Sequence, residues 1–426
     1  MAKTYGTYKD SGSVWVGDIP SEWNIGNFRY FGEFTKGKLP STSNTEGIGL
    51  PIIGASEMLG KECRTFSEDA NVPQCSNDDI LILWDGANAG IISSHHKGIV
   101  SSTAVKYHCL NSDVDKNFLY YFLKSVEPNF KEKVNGTTIP HMNIKYINEI
   151  PLLMPPLSVQ QSISSFLDTK CGEIDSLISI QEEMISELLA YKQSVITEAV
   201  TKGLDKKAKM KNSGVEWIGD IPEEWEVQKL RTLGWCQNGI SKSGDYFGED
   251  YEYPFVSYPD AYKNFEVPYP KGRANSTLED RQRYSLIKGD VLFTRTSETI
   301  EEIGFASTCT ETIPNAVFSG FLIRFRPTSP KIYYGYSKYF FRSIIHRAFF
   351  VKEMNLVTRA SLSQDLLKNL PVVLPKIEEQ QAIATYLDEK TTQIDSLIAL
   401  KQSKIESLKE YKKSIIYEYV TGKKRV

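Results

Sequence analysis

What the 426-residue chain lacks narrows its class before any motif is read. No apolar run approaches the roughly 18 residues that a bilayer-crossing helix needs, and Met1 to Gly12 hold no apolar signal-peptide core. The expected compartment is therefore the cytoplasm. An excess of one charge is missing too: 50 Lys and Arg against 53 Asp and Glu leave a net charge of -3. A protein gripping DNA alone through its phosphates is usually strongly basic, so a solitary DNA-binding domain is disfavoured. One docked beside basic partners is not. The six cysteines, Cys63, Cys75, Cys109, Cys171, Cys236 and Cys309, include no Cys-x-x-Cys pair, which argues against a zinc site or a disulfide frame.

Catalytic patterns are also absent. Gly32-Glu33-Phe34-Thr35-Lys36-Gly37-Lys38 has phosphate-loop spacing, but Leu39 stands where a magnesium-binding Ser or Thr belongs. The repeat copy, Gly234 to Ile240, keeps both glycines and loses the lysine. Backbone turns that demand glycine explain this better than nucleotide binding. No methyltransferase tetrad is present, and the only Glu-x-Lys, Glu410-Tyr411-Lys412, lies in a helical stretch. The neighbouring His95 and His96 are poorly spaced to face one metal. No nucleophile–base set is legible.

What is present is a chain written twice. Ser11-Gly-Ser-Val-Trp-Val-Gly-Asp-Ile-Pro-Ser-Glu-Trp23 returns from Ser213 to Trp225, an offset of 202 residues. Pro151 to Thr201 returns as Pro371 to Thr421, an offset of 220, with Gln160-Gln161, Leu167-Asp168 and Ile174-Asp-Ser-Leu-Ile178 all reproduced. Between these matched frames lie two inserts of different sequence. Drift after duplication does not by itself spare both frames while scrambling both inserts.

Each later frame opens on a proline-punctuated strand and turns helical, with Ser158-x-x-Gln161 at capping-box spacing. Apolar residues then step by four and three: Leu167, Ile174, Ile178, Ile185 and Leu188 in the first copy, Leu387, Ile394, Ile398, Ile405 and Leu408 in the second. A 3.5-residue period over several heptads is a coiled-coil seam, against the plainer reading of one long core helix. Gln181 and Lys401, and Lys192 and Lys412, hold equivalent polar seam positions, where they fix register. Gly203 suits the residue just past the first helix. A helix of about 40 residues is roughly 60 Å long. Each helix is the nearest cover for the other's stripe, so we expect an intramolecular antiparallel pair that throws the inserts to opposite ends.

The inserts read as mixed α/β material. Asp79 to Trp84 is a strand candidate ending at a turn, and Gly289 to Thr294 repeats its grammar. The expected fold class is α+β: two α/β recognition domains with mixed sheets, separated by two long antiparallel coiled-coil helices, with an internal pseudo-twofold repeat. The expected division is residues 1–155 (first domain), 156–203 (first spacer helix), 204–212 (a basic linker), 213–375 (second domain) and 376–426 (second spacer helix and tail).

The Trp-x-Gly-Asp-Ile-Pro-x-x-Trp motif, the Pro156-Leu-Ser-Val-Gln-Gln-Ser-Ile-Ser-Ser-Phe-Leu-Asp168 run and its partner from Ile377 to Asp388 resemble the specificity subunits of type I restriction-modification systems. The likeness covers essentially the whole chain in the family's order. It implies a non-catalytic subunit in which each domain reads one half of a split, asymmetric double-stranded DNA target and the helices fix the gap. It also implies two methylase subunits and motor-nuclease subunits as partners. S-adenosylmethionine, ATP and magnesium would sit on those partners, with no cofactor on this chain.

Base reading needs polar side chains on loops. The first-copy candidates are Lys36, Lys38, Asn44, Trp84, Asp85 and Asn88, and the resemblance adds Thr137, Thr138 and His141 before the spacer. The second-copy candidates are Ser241, Lys242, Arg295, Thr296 and Ser297, to which the resemblance adds Thr358 and Arg359. Methylase contact is expected from the shared frame, at Trp15, Ile19, Pro20, Trp23 and their copies Trp217, Ile221, Pro222 and Trp225, and from the helices' outer faces. The second reading is a coiled-coil adaptor presenting two protein-binding domains away from DNA.

Overall fold

A computed structural model describes residues 4–132, 142, 147, 150–297, 303–353 and 360–426. It resolves two compact units, and each takes half of both long helices. One comprises residues 1–182 and 402–426, the other residues 183–401.

In the first unit a four-stranded antiparallel sheet runs in the order Gly32–Lys36, Ala104–Cys109, Ile80–Leu83, Ile92–Ser94. All four residues of Ile80–Leu83 are buried, as a central strand covered on both faces must be. A second sheet orders Phe66–Ser67, Leu50–Ile53, Gly98–Val100, Gln74–Cys75, and its Leu50–Ile53 and Gly98–Val100 strands run parallel. Helix Lys116–Glu132 packs Phe118, Leu119, Phe122 and Val126 into the core. Strand Pro151–Met154 pairs with Asn24–Asn27 and leads into the first long helix, Leu157–Lys202.

The second unit repeats this plan with other residues. Its main sheet is Gly234–Asn238, Leu322–Pro327, Val291–Thr294, Ala306–Thr308. Its smaller sheet sets Tyr253–Val256 parallel to Val317–Phe318. Strand Pro371–Leu374 pairs with Glu226–Lys229 and leads into the second long helix, Ile377–Val420. The inserts differ in sequence yet share one sheet order, because the pattern of buried strands survives where individual side chains do not.

Within each unit the two helix halves run antiparallel. In the first, Phe166 packs on Tyr419 and Asp175 pairs with Lys412 at 2.7 Å. In the second, Met184 meets Lys401 and Asp395 pairs with Lys192 at 2.7 Å. The lysine–aspartate pair thus recurs at the equivalent positions of the repeat, which gives the two polar seam lysines their partners. Leu167, Ile174, Leu387, Ile394 and Ile405 are buried, while Ile178, Ile185, Leu188, Ile398 and Leu408 are half-buried. Gly203 closes the first helix with φ +74°, the left-handed conformation expected just past a helix end.

The helix starts differ in detail from the capping-box expectation. The first long helix begins at Leu157, with the Pro156 carbonyl accepting from Val159 and Gln160. Gln160, buried, does the fixing: its amide donates to the Asp113 and Pro155 carbonyls and its oxygen accepts from the Asp115 N–H. Gln380 makes the same three bonds to Lys331, Pro375 and Tyr333. Just downstream, Tyr121 donates to Asp168 and Tyr339 to Asp388, each at 2.7 Å. The repeated Gln-Gln and Leu-Asp pairs therefore mark where each sheet domain is clamped to its own helix.

The phosphate-loop spacing has a backbone cause. A side chain at Gly32 or Gly37 would strike the carbonyls of His108 or Ser101, and one at Gly234 or Gly239 those of Arg326 or Ser319.

Candidate nucleic-acid interface

Ladder register aligns the inserts residue by residue. Lys36 lies opposite Val105 and Asn238 opposite Ile323, each on the edge strand of its main sheet. After the central strands, the Trp84 N–H donates to the Thr103 carbonyl and the Arg295 N–H to the Phe321 carbonyl. The Trp84 carbonyl accepts from Met142, and that of Arg295 from Leu362. Lys36, Trp84 and Asp85 thus occupy the backbone positions of Asn238, Arg295 and Thr296. The same frame presents two unlike sets of side chains.

In the first unit the set is tightly grouped. The Lys36 ammonium lies 2.7 Å from the Asp85 carboxylate and 5.7 Å from the Trp84 ring centre. Lys38 and Asn88 are exposed nearby in sequence. Asn44 behaves as a turn residue: its amide donates to the Ile48 carbonyl and its oxygen accepts from the Glu46 and Ile48 N–H groups. An asparagine engaged this way holds its own loop.

In the second unit Arg295 donates to the Gly320 carbonyl, and Thr296 and Ser297 form a short ladder with Ser361 and Ala360. Ser241 is exposed, and Lys242 is exposed with its ammonium 5.6 Å from the Tyr246 ring centre. Ser241 and Lys242 follow the edge strand, so the counterpart of Lys36 is Asn238, which the candidate set omitted. Aligning Gly32–Lys38 with Gly234–Ile240 by their glycines already put Asn238 there. Thr137, Thr138, His141, Thr358 and Arg359 lie outside the described residues.

A buried carboxylate braces each of these sheets. Asp79 accepts from the Ser76 N–H and Oγ and from His108; Asp290 accepts from the Ile287 N–H and from Arg326. His108 and Arg326 stand at the same ladder position, opposite Glu33 and Trp235 on the edge strands. Burial pushes the Asp79 carboxyl up, but the bonds from Ser76 and His108 outweigh it and hold it below the usual range. Two residues before Arg326, Arg324 is buried under Trp235, and burial and the neighbouring Arg326 pull its guanidinium down to about 10.

The tryptophan motif faces the core, contrary to the expected methylase contact. Ile19, Pro20 and Trp23, and likewise Ile221, Pro222 and Trp225, are buried, so they offer no surface to a methylase. In the first unit Ile19 and Trp23 share one core cluster with Ile415, Ile416 and Val420 at the end of the second long helix; in the second, Ile221 and Trp225 share one with Ile196, Ala199 and Val200 at the end of the first. The motif is a clasp on the helix terminus. Trp225 Nε1 donates to Glu379 at 2.8 Å, whereas Trp23 Nε1 has no acceptor among the described residues. Trp15 and Trp217 are half-buried.

Among the described residues, no group of His, Cys, Asp and Glu side chains is placed to hold a metal, and no helix is long and apolar enough to cross a membrane.

Comparison with known proteins adds four findings. A family described as the type I restriction modification DNA specificity domain matches twice, at residues 20–189 and 222–410. The specificity subunit of the type I restriction enzyme MjaVIII of Methanocaldococcus jannaschii is 29% identical, covering 96% of this chain and 94% of that protein. The EcoBI specificity subunit of Escherichia coli is 24% identical over 84% of this chain and 76% of its own. A solved chain from a study of complex assembly and conformational transition of the type I R-M system has the same fold, with TM-score 0.69 and 15% identity, covering 94% of this chain and 98% of that one.

Proposed function

Because the chain belongs to the family of type I restriction-modification DNA specificity domains and carries that domain twice, we propose that it is the specificity subunit of such a complex. Each unit reads one half of a bipartite, asymmetric DNA target, and the helix pair sets the gap between the halves. The observation that carries this reading is the shared frame with unlike side chains: Lys36, Trp84 and Asp85 in one copy, Asn238, Arg295 and Thr296 in the other. Identical readers would give a symmetric target, and unlike readers give an asymmetric one.

The chain itself is non-catalytic on this reading. Two methylase subunits bring S-adenosylmethionine, motor-nuclease subunits bring ATP and magnesium chemistry, and the assembly works in the cytoplasm. A net charge of -3 fits a subunit whose partners supply much of the phosphate grip. Exposed apolar side chains recur at equivalent helix positions in both units: Leu177, Ile180 and Tyr411 in the first, Leu397, Leu400 and Tyr191 in the second. Two equivalent apolar surfaces suit two copies of one partner, and they replace the buried tryptophan motif as the methylase-docking candidates.

Methylome sequencing with and without this gene tests the reading. The expected result is loss of adenine methylation at one interrupted, asymmetric motif. An unchanged methylome rejects it.

A further inference from the structure

The geometry points to Lys36 and Asp85 as a paired reader of one G·C base pair in the first half-site, with Trp84 as their support. This inference rests on the DNA-reading function proposed above and adds the identity of a base pair to it.

The two side chains place a donor beside an acceptor, with Lys36 Nζ 2.7 Å from Asp85 Oδ2. In the major groove a G·C pair shows guanine N7 and O6 as acceptors next to the cytosine N4 donor. O6 and N4 are hydrogen-bonded to each other, so they lie about 3 Å apart. An ammonium on O6 and N7 with a carboxylate on N4–H reproduces that spacing. An A·T pair fits worse: its donor lies between two separated acceptors, and the thymine methyl crowds the outer one.

The Lys36 side chain is 47% exposed and that of Asp85 24%, and an ion pair this open to water adds little to stability. Loosening that one contact therefore costs the fold little. The carboxylate meanwhile keeps the flexible lysine pointed across the Trp84 ring, 5.7 Å from its centre, so less rotamer freedom is lost when DNA arrives. At the same backbone positions the second unit carries Asn238, Arg295 and Thr296, which contain no carboxylate. The G·C reading through a carboxylate therefore belongs to the first half alone.

The test uses the complex assembled with its methylase subunits, on duplexes carrying each of the four base pairs at every position of the target. Asp85→Asn and Lys36→Gln should each reduce preference at one G·C position of the first half by roughly tenfold to a hundredfold. Lys36→Arg should retain that preference, and the second half should stay unchanged in all three variants. Unaltered preference at every position with both Asp85→Asn and Lys36→Gln would overturn the inference. So would a change confined to an A·T position, a change in the second half, or loss of methylation on every duplex. If the wild-type complex methylates no interrupted motif, the broader reading has failed instead.

Discussion

Replacing Glu379 by valine tests the clasp at the helix terminus. Trp225 is 1% exposed and its Nε1 donates to Glu379 at 2.8 Å. Valine leaves that donor buried and unpaired, which costs about 1–3 kcal/mol. For a unit of this size each kcal/mol shifts the melting temperature by roughly 2–4 °C, so calorimetry should show a drop of about 2–12 °C in the second unit's transition. Glu379→Gln keeps an acceptor in place and should lose less than half as much. The first unit supplies the reciprocal test. Trp23 Nε1 has no acceptor among the described residues, and Val159 occupies the position equivalent to Glu379. Val159→Glu should therefore raise the first unit's transition, by up to about 1 kcal/mol after the loss of apolar packing. No effect from Glu379→Val, or equal losses with valine and glutamine, would refute the reasoning.

The clasp also shows what the sequence could and could not convey. Repetition of Trp-x-Gly-Asp-Ile-Pro-x-x-Trp signals that the residues are constrained, but not whether a partner or the core constrains them. Ile19 and Trp23 turn inward because the apolar end of a helix, distant in sequence, must be covered. The seam was legible because a heptad period is local and each copy repeats it. The roles of Gln160 and Asp168 were not, because their partners Asp113 and Tyr121 lie more than forty residues upstream with no periodic link. The strands Ile80–Leu83 and Val291–Thr294 were legible as apolar runs closed by turns. Their register was not, and only register aligns Lys36 with Asn238.

Two further outcomes follow from the paired geometry. Gln160→Ala or Gln380→Ala removes three hydrogen bonds and strands buried backbone groups, so each should cost about 1–3 kcal/mol per orphaned group, read as a lower denaturant midpoint for that unit alone. Asp79 has a lowered folded pKa, so its contribution is present in full above about pH 4 and lost as pH falls through the lowered value. Acid titration of unfolding should show that loss in the first unit, and Asp79→Asn should abolish it while lowering stability at neutral pH.

Inserting one heptad into both long helices, with the methylated motif then read by sequencing, tests the ruler most directly. Seven residues add about 10.5 Å of helix, or about three base pairs at 3.4 Å each. The account predicts a gap wider by about three base pairs with both half-sites unchanged. An unchanged gap, or a change in either half-site, would contradict it.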